Sequence, residues 1–167
     1  TTPLFARYIK KKLKKKNLIC VSPDVGGVQR TRGLATKIAA DLAIIDKRRP
    51  APGKSRVMNI IGDVKGKTCI IVDDIIDSGG TIVNAVAALK KSGAEDVYVF
   101  TTHGVLSGEA VKKIQSSKIK KLVITDSIDN SKKIKNHSKI EVLSISNLMA
   151  EAIKRISNST SVSDLFN

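Results

Sequence analysis

The sequence has 167 residues, 41% of them hydrophobic, which is material for one compact α/β domain with a buried core. With no Trp and aromatic residues at 3%, that core is built from Ile, Val, Leu and Ala, and recognition of nucleic acid by base stacking is disfavoured. The formal net charge of +15 creates a field that draws small anions, while the two cysteines lack metal or disulfide spacing and no apolar stretch is long enough to span a bilayer.

Taken in chain order, Phe5, Ile9 and Leu13 recur every four residues with Leu4 and Tyr8 alongside. The run Lys10, Lys11, Lys12, Lys14, Lys15 and Lys16 is then the solvated face of an amphipathic helix rather than a nucleic-acid motif. Residues 1–17 are expected to be a connecting helix from an upstream domain. Leu18 to Val21 reads as a strand ending in Ser22-Pro23-Asp24-Val25-Gly26-Gly27, a carboxylate-and-glycine turn, and helical spacing resumes from Val28 through Leu34 and Ile38. Leu42 to Ile45 is a short strand. Asp46 to Arg56 holds two prolines, a glycine and five cations, so it is expected to be a mobile basic loop without regular structure.

Val57 to Ile61 is a further strand, followed by a turn from Gly62 to Lys67. Cys69 to Val72 is a β-branched apolar run suited to a buried parallel strand, and Val83 to Leu89 repeats apolar residues at helical spacing until Ser92-Gly93. Cys20 and Cys69 fall inside strands and are expected to behave as small buried apolar residues. Val97 to Thr101 reads as a strand, Ser107 as the cap of a helix through Gln115, and Leu122 to Thr125 and Ile140 to Ser144 as strands. A last helix from Ser146 to Ile156 places Leu148, Ala152 and Ile156 on one face. The alternation predicts α/β architecture: a doubly wound, mainly parallel sheet flanked by helices, with its ligand beyond the carboxyl ends of the strands.

The segment between the central strand and its helix carries the chemistry. Gly79 and Gly80 let a backbone approach a ligand, and the N–H groups opening the following helix suit a phosphate. Asp73 and Asp74 would repel a phosphate beside them; ionised carboxylates instead accept hydrogen bonds from vicinal sugar hydroxyls. A ribose 5-phosphate has both halves. No Gly-Lys-Ser/Thr follows and the dinucleotide glycine spacing is missing, so neither of those phosphate loops applies. His103 follows a strand and is expected to be a structural hydrogen-bonding residue; His137, amid lysines, is expected at the surface.

Residues Ser22 to Gly27, Asp46 to Pro50, Val72 to Thr81, Thr102 to Gly108 and Ser161 to Phe166 together resemble ribose-phosphate pyrophosphokinase, also called phosphoribosyl pyrophosphate synthetase, over about the carboxyl-terminal half of that family's two-domain subunit. The resemblance implies a type I phosphoribosyltransferase-like fold over residues 18–167. It also implies transfer of the β,γ-diphosphoryl group of ATP to the anomeric hydroxyl of ribose 5-phosphate, with Mg2+ as cofactor. By it, Asp77, Ser78, Gly79, Gly80 and Thr81 hold the 5-phosphate, and Asp73 with Asp74 address the ribose hydroxyls or a metal's water shell. Asp24 is the metal-associated aspartate, and Lys47 and Arg49 are the catalytic pair on a flexible loop, Arg49 also contacting ribose 5-phosphate. Ser161, Val162, Ser163 and Phe166 match a phosphate-responsive regulatory segment.

The same resemblance implies a cytoplasmic homo-oligomer, hexameric in the family, acting on ATP and ribose 5-phosphate with no nucleic-acid or membrane partner. The family's adenine-binding residues lie in the preceding domain, so this chain is expected to supply the ribose-phosphate half and the catalytic loop. Two other functions fit the same fold: a phosphoribosyltransferase, for which an aromatic-rich base hood is lacking, and a non-catalytic phosphoribosyl-binding regulator.

Overall fold

The computed structural model describes residues 1–13, 16–48 and 57–165, with backbone alone at 47, 48, 57 and 58. Seven strands form one sheet: β1 (Leu18–Ser22), β2 (Asp41–Arg48), β3 (Val57–Ile61), β4 (Thr68–Ile76), β5 (Asp96–Gly104), β6 (Lys121–Thr125) and β7 (Ile140–Leu143). Their spatial order is β3-β2-β1-β4-β5-β6-β7. Every pairing is parallel except β2 with β3, an antiparallel pair at the sheet edge. The chain winds outward from β1 in one direction and from β4 in the other. The order therefore reverses between β1 and β4, and loops leaving their carboxyl ends diverge to opposite faces and open a crevice.

Among the described residues there are six α-helices, α1 (Thr2–Lys12), α2 (Val28–Ile38), α3 (Gly80–Lys91), α4 (Ala110–Ser116), α5 (Ser131–Ile134) and α6 (Ser146–Ser157), the first four of which bury residues. The central strands bury both faces because both are covered. In β4, Cys69 and Ile71 join Val86 and Leu89 of α3 in one core, while Ile70 and Val72 join Phe5, Ile9 and Leu34 of α1 and α2 in the other. α1 is docked through rings: Phe5 and Phe100 lie 5.4 Å apart between centroids and Tyr8 and Phe100 5.8 Å. Lys10, Lys11 and Lys12 face solvent, as the helical spacing requires. Cys20 and Cys69 are fully buried, and burial pushes both thiols up to about 12.

Three expectations are corrected. β4 does not stop at Val72: Asp73 pairs with Thr101, Ile75 with His103 and Ile76 with Gly104, so the carboxylates stand on a strand that β5 holds extended. The basic segment is regular at its start, since Asp46, Lys47 and Arg48 pair with Asn59, Met58 and Val57; residues 49–56 lie outside the described ones. α4 begins at Ala110 after Glu109, and Ser107 contributes its carbonyl to the Ala110 N–H instead of capping with its side chain. α6 buries none of its residues.

Candidate functional site

Each half of the site comes from a strand end on one side of the reversal. After β1, Ser22 Oγ donates to the Asp24 carbonyl at 2.6 Å, and the Gly27 N–H donates to Asp24 Oδ1 at 2.9 Å. A Cβ on Gly27 would sit 2.9 Å from Ser22 Oγ, closer than real Cβ atoms come, so glycine is what lets the turn close before α2. Asp24 itself is exposed at the mouth of the crevice.

After β4, the chain turns through Asp77, Ser78 and Gly79 into α3. Gly79 adopts φ 75°, the left-handed region where a side chain is strained, and so aims the chain into the helix. The turn is pinned from behind: Val105 and Leu106 N–H donate to the Ile76 carbonyl and Ser107 N–H to that of Asp77. The first intrahelical bond recorded there runs from Val83 N–H to the Gly79 carbonyl at 3.0 Å, which leaves the earlier amides of α3 as donors. Lys113 of α4 brings its ammonium to 3.4 Å from the Ser78 carbonyl, adding positive charge behind the turn.

Asp24, Asp73, Asp74 and the whole stretch Asp77 to Thr81 line one cavity of about 440 Å³, with Ile75, Ile76 and Ile82. That volume suits a small ligand. Its floor carries paired carboxylates bound by a residue that reading the sequence missed. Arg30, in the first turn of α2, donates from Nη1 to Asp73 Oδ1 at 3.0 Å and from Nη2 to Asp74 Oδ2 at 2.7 Å. Burial raises the Asp73 carboxyl above its ordinary range, with the like charge of Asp74 adding to this and Arg30 opposing it. At Asp74 partial desolvation pulls the same way, but Arg30 and nearby hydrogen bonds outweigh it and hold the carboxyl below its ordinary value.

Other expected residues stand apart. His103 Nδ1 is 3.0 Å from Ser127 Oγ, which itself donates to the Thr102 carbonyl, and His103 does not line the cavity. His137 is half-buried and lines a separate cavity with Leu106 and Lys133. The backbone of Lys47 is the penultimate residue of β2; its side chain and all of Arg49 lie outside the described residues. Ser161 Oγ donates to Asp164 Oδ1 and its carbonyl accepts from Arg155 of α6, so the Ser161–Ser163 segment, Val162 included, closes on that helix away from the cavity; Phe166 lies outside the described residues.

A metal was expected near Asp24. Among the described residues no three His, Cys, Asp or Glu side chains are grouped to hold one. Mg2+ does not need such a cage: it keeps several waters and takes one or two carboxylates together with substrate phosphates. Asp24, exposed at the cavity and with one oxygen held by Gly27, fits that mode.

The family model for a phosphoribosyl synthetase-associated domain matches residues 49–167. The ribose-phosphate pyrophosphokinase of Brucella melitensis is 56% identical over 164 residues, which make up 98% of this chain and 53% of that protein. The crystal structure of phosphoribosylpyrophosphate synthetase from Mycobacterium smegmatis superposes with a TM-score of 0.85 at 34% identity, over 95% of this chain and 51% of that one. An adenine phosphoribosyltransferase superposes with a TM-score of 0.59 at 18% identity, over 74% and 76% of the two chains, a likeness of fold alone. The chain spans about half the length of the curated relatives it matches.

Proposed function

The chain belongs to the ribose-phosphate pyrophosphokinase family and has its type I phosphoribosyltransferase-like fold, and we propose that it binds ribose 5-phosphate and presents the anomeric hydroxyl for transfer of the β,γ-diphosphoryl group of ATP. The observation that carries this is the single cavity in which free helix amides and paired carboxylates lie together, matching the two ends of one sugar phosphate.

In this reading the amides after Gly79 and the hydroxyls of Ser78 and Thr81 hold the 5-phosphate, helped by the partial positive charge of the α3 amino terminus. Asp73 and Asp74 accept from the sugar hydroxyls and fix the ring, which orients the anomeric oxygen. Asp24 would hold Mg2+ through its free oxygen; the ion, when bound, offsets the charge of the polyphosphate. Lys47 and Arg49 supply cations for the non-bridging oxygens of the group in flight. The adenine end of ATP falls to residues of a preceding domain, residues 1–17 serving as the connection. A cytoplasmic, self-associating enzyme is part of the same proposal, with Ser161 to Phe166 as its phosphate-responsive segment.

The test is ligand-induced stabilisation. Ribose 5-phosphate at one hundred times its Kd is expected to add about 2.7 kcal/mol to the unfolding free energy of the chain. Asp77→Ala and Thr81→Ala should each shrink the rise in Tm while leaving the ligand-free Tm close to that of the parent. No rise at saturating ligand would remove the binding assignment.

A further inference from the structure

Arg30 sits where an isolated surface ion pair would contribute little, yet it holds the two carboxylates that line the cavity, which gives it a different task. Side chains of successive strand residues ordinarily point to opposite faces, so Asp73 and Asp74 would not by themselves present a matched pair of acceptors. The planar guanidinium fork spans both and draws them together. It does so economically: Arg30 takes Oδ1 of Asp73 and Oδ2 of Asp74, and the Asp74 N–H also uses Asp73 Oδ1 at 2.9 Å. The two side chains also bond to each other, and the Asp74 carboxylate accepts from nearby backbone, so the pair is tied into one unit. Each carboxylate has more lone-pair sites than these bonds use, so both still offer acceptor capacity to a ligand in the cavity they line, and one rigid group holds the two in fixed relation. A vicinal diol satisfies both; a 2-deoxy sugar leaves one unpaired.

We propose that Arg30 is the positioning residue that makes the site selective for a ribo- over a 2-deoxyribo-5-phosphate, by locking Asp73 and Asp74 as a two-acceptor receiver for adjacent hydroxyls. This rests on the assignment of the pair to sugar hydroxyls made above. Arg30 touches no reacting atom; it acts through the carboxylates. Its own charge attracts any anion equally, so that contribution cancels when two ligands with the same phosphate are compared. The selectivity ratio isolates the geometric role.

The experiment titrates the chain, Arg30→Gln and Arg30→Lys with ribose 5-phosphate and with 2-deoxyribose 5-phosphate by calorimetry, with thermal melts to confirm folding. The parent is expected to favour the ribo ligand by about tenfold or more, the scale of one hydrogen bond to a charged acceptor. Arg30→Gln should bring the ratio towards unity, mainly by weakening the ribo ligand. Arg30→Lys, whose single ammonium cannot span both carboxylates, should fall between. If both variants keep the parental ratio, even with both affinities lowered in parallel, Arg30 is merely structural and the proposal is overturned. Should Arg30→Gln not fold, Arg30→Lys decides by the same criterion. A parent that binds neither ligand, or both equally, instead sinks the assignment of Asp73 and Asp74, and the inference with it.

Discussion

Gly79 is the residue on which the phosphate turn depends, because its φ of 75° is what carries β4 into α3 with the first amides facing the cavity. Space is not the constraint: a Cβ there would meet nothing closer than 3.7 Å. The constraint is conformational, so Gly79→Ala is expected to cost about 1–2 kcal/mol. For a chain of this size that lowers Tm by roughly 2–8 °C. Relief of the strain would rotate the amides away, so affinity for inorganic phosphate should fall as well. A variant with lowered Tm and unchanged phosphate affinity would show that these amides do not hold the anion. Residues at this scale divide by how far their partners lie in sequence. The glycines and Thr81 were legible because the whole turn that lines the cavity falls within five residues. Arg30 was not, because its carboxylates stand 43 and 44 residues further on and nothing in local spacing joins them.

At the scale of elements, apolar runs and helical periods located the strands and helices, and errors arose where pairing overrode composition. Acidic residues extend β4 because β5 offers a partner as far as Gly104, and a charged segment extends β2 because an edge pair tolerates polar side chains on its exposed side. α1 shows how an element is tied down after its apolar face has docked. Tyr8 Oη donates to Glu141 Oε2 at 2.8 Å and Lys121 Nζ to the same oxygen at 2.9 Å, joining α1, β6 and β7. Partial desolvation of Glu141 is outweighed by these donors, so its carboxyl is held below the ordinary 4.5. A lowered folded-state value means stability that is present above that ordinary value and lost as pH falls through the folded one. Glu141→Gln should therefore destabilise the chain by about 1 kcal/mol near neutrality, since charged acceptors bond more strongly. The difference should fade in urea melts as the pH is taken below 4.5. A constant gap across that range would show that the charge on Glu141 contributes nothing.

For the whole molecule, the relation to relatives twice its length sets the test of activity. A hybrid in which this chain replaces the matching half of the Brucella melitensis enzyme is expected to form phosphoribosyl pyrophosphate from ATP and ribose 5-phosphate. Lys47→Ala in that hybrid should lower kcat by roughly 10²–10³-fold, the scale of losing one preorganised charge-stabilising donor. Ribose 5-phosphate affinity should stay nearly constant, because Lys47 acts on the transition state. Loss of affinity at constant kcat would move Lys47 out of the catalytic role. The positive charge of +15 belongs to this scale too, as a field that raises the local concentration of phosphorylated ligands.

The sequence by itself determined the α/β class, the mainly parallel order, the buried cysteines and the composition of both turns. Those follow from local physics: β-branched runs, helical period, and glycine where a carbon would clash or strain. Only the tertiary structure decided that the order reverses between β1 and β4, that the turns after those strands share one cavity, and that Arg30 grips both carboxylates on its floor. Such facts depend on which strand lies beside which, and proximity between segments some fifty residues apart is a property of the sheet, not of any stretch of chain.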